Sequence, residues 1–296
     1  MRDYKILTDS SCDLEKNRRE ALDIDYLKMG VSYGPNKETY CDLDWAEFSP
    51  KEFYQMLEDN IVFKTFQINS AAYEEVFEKY VLKGLDVLYL ACAGALSGSI
   101  NSARLAADNL TQKYPQAKIY CMDTTIASLG LGILVTRAVQ EKRSGKTIDE
   151  VRLIIDEIKS SVLQVGTVEN LKYLQRAGRI NGAAAFMCKI ANIKPIVVSD
   201  VKGANISIAK VRGRAKSIQT CINYIKENII NPETQEVGIV HADSIDDAIK
   251  IKEILINQVG VKSVYINYLN LVLGATVGRG MIGIYFQGKP RGNIKY

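Results

Sequence analysis

The sequence predicts an α/β protein in which a doubly wound, Rossmann-like parallel sheet is followed by a two-layer α/β sandwich with a mostly antiparallel sheet. In the N-terminal half, short apolar segments alternate with helical patterns, which is typical of a parallel sheet. In the C-terminal half, short strands follow one another, and Asp200–Ala204 (DVKGA) indicates a hairpin turn. Because the order of elements changes near residue 160, we expect a first domain at residues 1–160 and a second at 161–296.

The composition limits the class of protein. The chain has 296 residues, of which 47% are hydrophobic and 24% charged, as in a soluble globular protein. No apolar run reaches the ~18 residues of a membrane span, and charge occurs within the first residues, so we expect no membrane insertion and a cytoplasmic location. A net charge of +4 is too small to indicate a nucleic-acid partner. The six scattered cysteines form no C-x-x-C pair and predict reduced core residues.

Apolar periodicity places the individual elements. Strands are predicted at Tyr4–Thr8, Val87–Ala91, Lys118–Met122, Leu163–Val168, Pro195–Ser199, Asn205–Lys210, Val237–His241, Ser263–Asn267 and Ile282–Phe286, with a weaker one within Asp23–Tyr33. Helices are predicted after Ser49–Pro50, after Ser70, from Asn101 onward, and at Ile126–Arg143, Ile148–Ile158, Asn170–Gln175 and Ala183–Ala191.

The stretch at residues 86–110 carries the strongest functional signal. A buried strand leads into a loop of small residues at 94–99, and a helical pattern follows. The first amides of a helix have no internal acceptors, and the helix dipole adds positive charge there. Gly98 lets a ligand approach the backbone, and Ser97 and Ser99 add hydroxyl groups. The pattern predicts a site for a carboxylate or phosphate, with an ordinary serine N-cap as the alternative.

Two further polar segments lie next to predicted strands or helices. Asp9 and Ser10 follow the first strand, and Thr65, Gln67 and Asn69 form a predicted polar loop before a helix. Ligands gather at the carboxyl ends of parallel strands, so the segment at Asp9 and Ser10 is a candidate for a shared cleft. Turn formation and helix capping are the alternative explanation for each.

Other chemistry is poorly supported by the sequence. The one histidine, His241, ends an apolar strand and is expected to be a packed or capping residue. The G-x-G-x-x-G pattern at Gly278–Gly283 is followed by a strand pattern, whereas a dinucleotide site requires a helix. Acidic residues are scattered without metal-ligand spacing. We therefore expect no catalytic residue, no metal and no cofactor.

Several short motifs occur in order along the whole chain. They are Leu7–Ser11 (LTDSS), Lys64–Asn69 (KTFQIN), Leu96–Ala103 (LSGSINSA), Ala127–Gly132 (ASLGLG), Leu174–Ile180 (LQRAGRI), Lys194–Pro195 and Gly274–Phe286. Together they resemble the DegV family, bacterial fatty-acid-binding proteins that include the binding subunits of fatty acid kinase.

The resemblance implies two domains with an acyl chain held between them. It implies that Thr65 and Ser97 bind the fatty-acid carboxylate, in a site that includes Gly98 and Thr276. It also implies that Arg179 lies on a surface that faces a kinase. A protein of this kind is a lipid-binding protein without catalytic activity, and its partner is a separate ATP-binding kinase subunit.

Three positions depart from the pattern of the family. Phe66 stands where the family usually has Ser, which removes one hydroxyl from the head-group segment. Thr276 stands where many members have His, and Arg279 where they have Pro. Because Thr does not titrate near neutral pH, the pH response of the site is expected to differ from that of the family.

We therefore predict a protein that binds a long-chain fatty acid between two domains. The alternative is an enzyme that acts on a small anionic metabolite in the same cleft. A long apolar tunnel favours the first function, and a short polar cleft favours the second.

Overall fold

The computed structural model describes residues 2–180 and 192–295, which form three β-sheets with helices packed against them. The strands are β1 (Tyr4–Asp9), β2 (Asp25–Leu27), β3 (Gly30–Tyr33), β4 (Lys37–Tyr40), β5 (Phe63–Phe66), β6 (Asp86–Ala91), β7 (Ile119–Asp123), β8 (Val162–Thr167), β9 (Ile193–Ser199), β10 (Asn205–Arg212), β11 (Glu236–His241), β12 (Ser263–Tyr268) and β13 (Ile282–Gln287). The α-helices are α1 (Lys16–Leu22), α2 (Pro50–Glu58), α3 (Ser70–Val81), α4 (Ser99–Lys113), α5 (Leu129–Arg143), α6 (Ile148–Ile158), α7 (Lys172–Ala177), α8 (Arg214–Asn228), α9 (Ile245–Ile254) and α10 (Leu271–Val277). The helix predicted at Ala183–Ala191 lies outside the described residues.

The first sheet has four strands in the order β2-β1-β6-β7, and every neighbouring pair is parallel. The strands β1 and β6 are buried along their whole length. Such strands carry near-continuous apolar runs because both of their faces are covered. The predicted parallel sheet in the N-terminal half is confirmed.

The second sheet is antiparallel, has the strand order β4-β3-β5, and is not predicted from the sequence. It contains Thr65 and Phe66, so the prediction of a loop is wrong for Thr65, whereas Gln67 and Asn69 lie in a loop after the strand as predicted. Thr65 pairs with Val31, and Phe66 pairs with Gly30. The neighbouring side chains of Lys64 and Thr65 are both exposed. The strand therefore has no two-residue apolar period by which it could be recognised.

The third sheet has six strands in the order β10-β9-β8-β13-β11-β12. Only the pair β11–β12 is parallel, which confirms the mostly antiparallel sheet of the C-terminal half. The predicted hairpin turn joins β9 to β10. Asp200 closes this turn, because its Oδ1 accepts hydrogen bonds from the amides of Lys202 and Ala204 at 2.8 and 2.9 Å.

A helix begins at the residue predicted from the sequence where a capping residue marks its start. Ser49 and Glu52 form a reciprocal capping box at α2, which begins with Pro50 as predicted. The helix predicted from Ile126 begins later, at Leu129. Its N-cap, Ser128, has a φ of +58°, so the chain turns before the helix starts. An apolar pattern does not reveal such a turn.

Side chains join the two halves of the molecule. The guanidinium of Arg18 lies 3.7 Å from the ring centre of Tyr265 and pairs with Glu236 at 2.5 Å. The four-stranded sheet ends at Asp123 and the six-stranded sheet begins at Val162, so we propose to place the domain boundary near residue 160. Within residues 2–180 and 192–295, no helix has the length and the apolar character that crossing a membrane requires.

Candidate functional site

A cavity of about 350 Å³, here called the outer cavity, lies where β5, the loop after β6, and α10 meet. It is lined by Ser11, Met29, Thr65, Phe66, Gln67, Cys92, Leu96, Ser97, Gly98, Ala127, Arg179, Asn205, Val272, Leu273, Thr276 and Val277. All five site residues named from the sequence therefore line one cavity, although they come from distant parts of the chain. Their roles in binding stay predictions.

The loop between β6 and α4 forms one wall of the outer cavity. Gly98 occupies the N-cap position of α4 and offers no side-chain cap. The oxygen of Ser97 takes over part of that role, because it accepts a hydrogen bond from the amide of Ser99 at 3.3 Å. The capping alternative thus holds for one bond, while Ser97 and Gly98, which directly precede the 15-residue helix, line the cavity.

Hydrogen bonds connect the Thr65 segment to the Ser97 loop. The amide of Ile68 donates to Ser99 Oγ at 3.3 Å. Gln67 lies so close to Gly98 that a Cβ atom on Gly98 would approach Gln67 Oε1 to 2.3 Å. A side chain at position 98 would therefore require Gln67 to move, and the Thr65 segment and the Ser97 loop line the same cavity.

Phe66 forms an apolar part of the rim, at a position where the resemblance implies Ser. Its ring lies over Gly30, where an added Cβ would come within 1.8 Å of the ring. Its centre is 6.0 Å from that of Tyr40 in an edge-to-face arrangement. The rim beside Thr65 is therefore aromatic.

Thr276 and Arg179 line the same cavity from the C-terminal half. The hydroxyl of Thr276 donates to the carbonyl of Val272 at 3.0 Å, so it must rotate before it can donate to a ligand. Arg179 is exposed, and its Nε donates to the carbonyl of Leu96 at 2.6 Å. Arg179 thereby contacts the segment that precedes Ser97.

A smaller apolar cavity, here called the inner cavity, has a volume of about 60 Å³. It shares with the outer cavity the residues Leu96, Ala127, Asn205, Leu273 and Val277. Its other walls come from β8, β9 and β13, so it lies between the two halves of the molecule. This volume accepts a few water-sized groups, and a long chain requires flexible side chains such as Met281 to move.

Asp9 is completely buried beside residues that line the outer cavity. It caps the turn that follows β1 by accepting from the amide of Ser11 at 2.9 Å. It also accepts from Ser11 Oγ at 2.5 Å, from Tyr89 Oη at 3.0 Å and from the amide of Cys92 at 3.0 Å. The capping prediction is confirmed, and two of its partners, Ser11 and Cys92, line the cavity.

His241 is packed in the interior, as predicted. Its Nδ1 accepts from the amide of Ser244 at 3.2 Å, and its ring centre lies 4.3 Å from that of Tyr268. Burial lowers the pKa of His241 to about 4, so the ring is neutral near pH 7. The residues at Gly278–Gly283 lead into β13, a strand, which is inconsistent with a dinucleotide site.

Asn205 is a cavity residue that the sequence does not indicate. It begins β10, donates to the carbonyl of Arg179 at 3.2 Å and accepts from Gln164 Nε2 at 2.8 Å. It reaches the site only through the pairing of β10 with β9, and no local pattern marks it.

Comparison with known proteins places these features in a family. Residues 3–289 match the model of the DegV family, which carries the description "Uncharacterised protein, DegV family". A DegV domain-containing protein of Clostridium perfringens is 38% identical over 291 residues, which cover 98% of this chain and 99% of the relative. One of Lactococcus lactis is 30% identical over 282 residues, covering 95% and 96% of the two chains.

Solved structures share the whole fold. A DegV lipid-binding protein of Thermotoga maritima has a TM-score of 0.82 and 27% identity, with 98% of this chain and 99% of that chain covered. A second protein of Thermotoga maritima, described as revealing a fatty acid binding function, has a TM-score of 0.80 and 27% identity, with 97% and 100% covered.

Proposed function

This chain belongs to the DegV family, and we propose that it binds a long-chain fatty acid with the head group at Thr65 and Ser97 and the acyl chain in the inner cavity. The observation that supports the proposal is that the two cavities adjoin. The outer cavity, which is lined by Thr65 and Ser97, shares the side chains of Leu273 and Val277 with an apolar cavity between the two halves.

The two ends of the ligand have different energetic roles. Each buried methylene contributes ~0.8 kcal/mol, so ten of them supply roughly 8 kcal/mol before the entropic cost of binding. A buried carboxylate without partners costs several kcal/mol. The hydroxyls of Thr65 and Ser97 and the first amides of α4 offset that cost by charge-assisted hydrogen bonds. The tail thus supplies affinity, and the head group sets orientation.

We further propose that the bound acid is presented to a separate ATP-dependent kinase. The exposed residues Thr65 and Arg179 stand at the rim of the outer cavity, so a head group held there is accessible to another protein. His241 is buried and does not line this cavity, so the chain itself offers no histidine base at the head group. The apolar inner cavity favours a lipid over the small anionic metabolite of the alternative function.

Lipid analysis and a blocked variant test the proposal. Protein purified after expression is extracted and analysed by mass spectrometry, and binding of palmitate and octanoate is measured by calorimetry. We expect a co-purified fatty acid and tighter binding of palmitate than of octanoate. Absence of any co-purified acid, together with no palmitate binding, contradicts the proposal.

The variant Leu273→Trp places bulk where the two cavities meet, and it should abolish the gain in affinity from octanoate to palmitate. Leu153→Trp is the matched control, because Leu153 is 58% exposed on α6. Palmitate binding by Leu273→Trp at the wild-type level would place the acyl chain elsewhere.

A further inference from the structure

We propose that the inner cavity selects fatty acids that carry a hydroxyl group along the acyl chain, and that Gln164 is the residue that recognises this hydroxyl. Gln164 is a polar residue within the largely apolar strand β8, and it lines the inner cavity but not the outer one. The inference rests on the proposed function, because it concerns the acyl chain that this function places in the inner cavity.

The position of Gln164 in β8 turns its side chain toward the inner cavity. Its neighbours Leu163 and Val165 are buried with Ile225 of α8, on the face of the six-stranded sheet that α8 covers. Successive side chains of a strand point to opposite faces, so Gln164 points the other way. It pairs with Tyr285 of β13, which also lines the inner cavity and belongs to the core of the N-terminal half. The strand register therefore places the amide of Gln164 on the wall of the inner cavity.

Hydrogen bonds fix the orientation of the amide of Gln164. The carbonyl of Arg179 can only accept, so it is the nitrogen of Asn205 that donates to it, at 3.2 Å. The oxygen of Asn205 therefore faces Gln164, and Gln164 Nε2 donates to it at 2.8 Å. Oε1 is then the end of the Gln164 amide that is directed away from Asn205. Within residues 2–180 and 192–295, no group donates a hydrogen bond to this oxygen.

A saturated acyl chain leaves the Oε1 acceptor of Gln164 unpaired. When the chain fills the inner cavity, it removes water from Oε1 and offers no donor in return, and a buried acceptor without a partner is unfavourable. A hydroxyl on the chain at the depth of Gln164 donates to Oε1 and can accept from the second N–H of the amide. The same hydroxyl against the apolar walls formed by Leu174, Val197 and Val277 would lose its water without gaining a partner. The cavity therefore distinguishes acids by the position of the hydroxyl.

Calorimetric titration of the lipid-free protein with stearate, and with hydroxystearates substituted at carbons 6 to 12, tests the proposal. Most of these acids should bind roughly 5- to 150-fold more weakly than stearate, because the hydroxyl loses its water. At the carbon that lies beside Gln164, the hydroxyl gains a partner, so this acid should bind as tightly as stearate or more tightly. The acid 2-hydroxystearate holds its hydroxyl beside the carboxylate in the outer cavity, so its affinity relative to stearate should not depend on Gln164.

Two variants separate the amide of Gln164 from the shape of the cavity. Gln164→Leu removes both hydrogen-bonding ends of the amide, so the favoured hydroxystearate should fall to the level of the others, while stearate binding is retained. Gln164→Met keeps the length of the side chain and should behave alike, which covers the case in which one variant fails to fold. Gln219→Leu is the matched control, because Gln219 is exposed on α8 and its Nε2 donates to Asn223 Oδ1 at 2.9 Å, away from both cavities.

The outcomes distinguish the hydroxyl selectivity from fatty acid binding itself. Tight stearate binding with an equal penalty at every carbon in the wild-type protein overturns the selectivity and leaves fatty acid binding intact. A favoured hydroxystearate that persists in folded Gln164→Leu and Gln164→Met proteins overturns the role of Gln164. Absence of stearate binding by the wild-type protein overturns both proposals. A merely structural role of Gln164 would change the affinities of all these acids alike and leave their ratios unchanged.

Discussion

Replacing Ser97 by Ala tests the head-group site most directly. The substitution removes a cavity-lining hydroxyl that accepts from the amide of Ser99 and donates to Ser99 Oγ. If a buried carboxylate loses this donor, binding should weaken by roughly 1–3 kcal/mol, which corresponds to roughly 5- to 150-fold in Kd. The tail contacts in the inner cavity remain, so palmitate should still bind measurably.

The assay compares the dissociation constants of palmitate and 1-hexadecanol for each variant. Because the alcohol has no charge to stabilise, Ser97→Ala should affect palmitate more than the alcohol. Ser144→Ala serves as the control, since its hydroxyl donates only to the carbonyl of Glu141 at an exposed helix end. Thermal unfolding of each variant shows whether the fold is retained. Unchanged palmitate affinity in a folded Ser97→Ala protein would refute the assignment of the head group to this loop.

Three further predictions address the rim, the buried cation and the histidine. Arg179→Ala should leave palmitate binding intact and reduce phosphorylation of the bound acid by a partner kinase; loss of binding would make Arg179 a ligand contact. Arg291 is 2% exposed and donates to the carbonyl and hydroxyl of Thr125 at 2.5 and 2.6 Å. The variant Arg291→Met should therefore lower the free energy of unfolding in urea by roughly 3–5 kcal/mol, whereas the control Lys289→Met should leave it unchanged. Burial lowers the pKa of His241 from 6.5 to about 4, so its contribution to stability is present above pH 6.5 and is lost as the pH falls toward 4. This loss amounts to about 3 kcal/mol of the free energy of unfolding. In the variant His241→Asn, the free energy of unfolding in urea should not show this decrease between pH 6.5 and pH 4.

The two halves of the fold could be predicted because their patterns are local. Strand β6 is a continuous apolar run, and α2 begins at a Ser–Pro pair with a glutamate three residues after the serine. The strand β5 could not be predicted, because buried and exposed side chains do not alternate along it. Its hydrogen bonds to β3 decide its conformation, and the sequence of β5 alone does not contain that partner.

For the candidate site, the sequence by itself determined the segments in which the ligand-binding residues are predicted. The small-residue loop at Ser97 before a helix, and the motifs of the DegV family, indicated an anion site and a fatty acid ligand from residues that are neighbours in the chain. The tertiary structure alone decided what surrounds that loop. It brought Thr65, Arg179 and Asn205 to one cavity, and it placed a second, apolar cavity beside that one. The physical reason is that backbone propensity acts over a few residues, whereas cavities and hydrogen-bond chains form between side chains that only packing brings together.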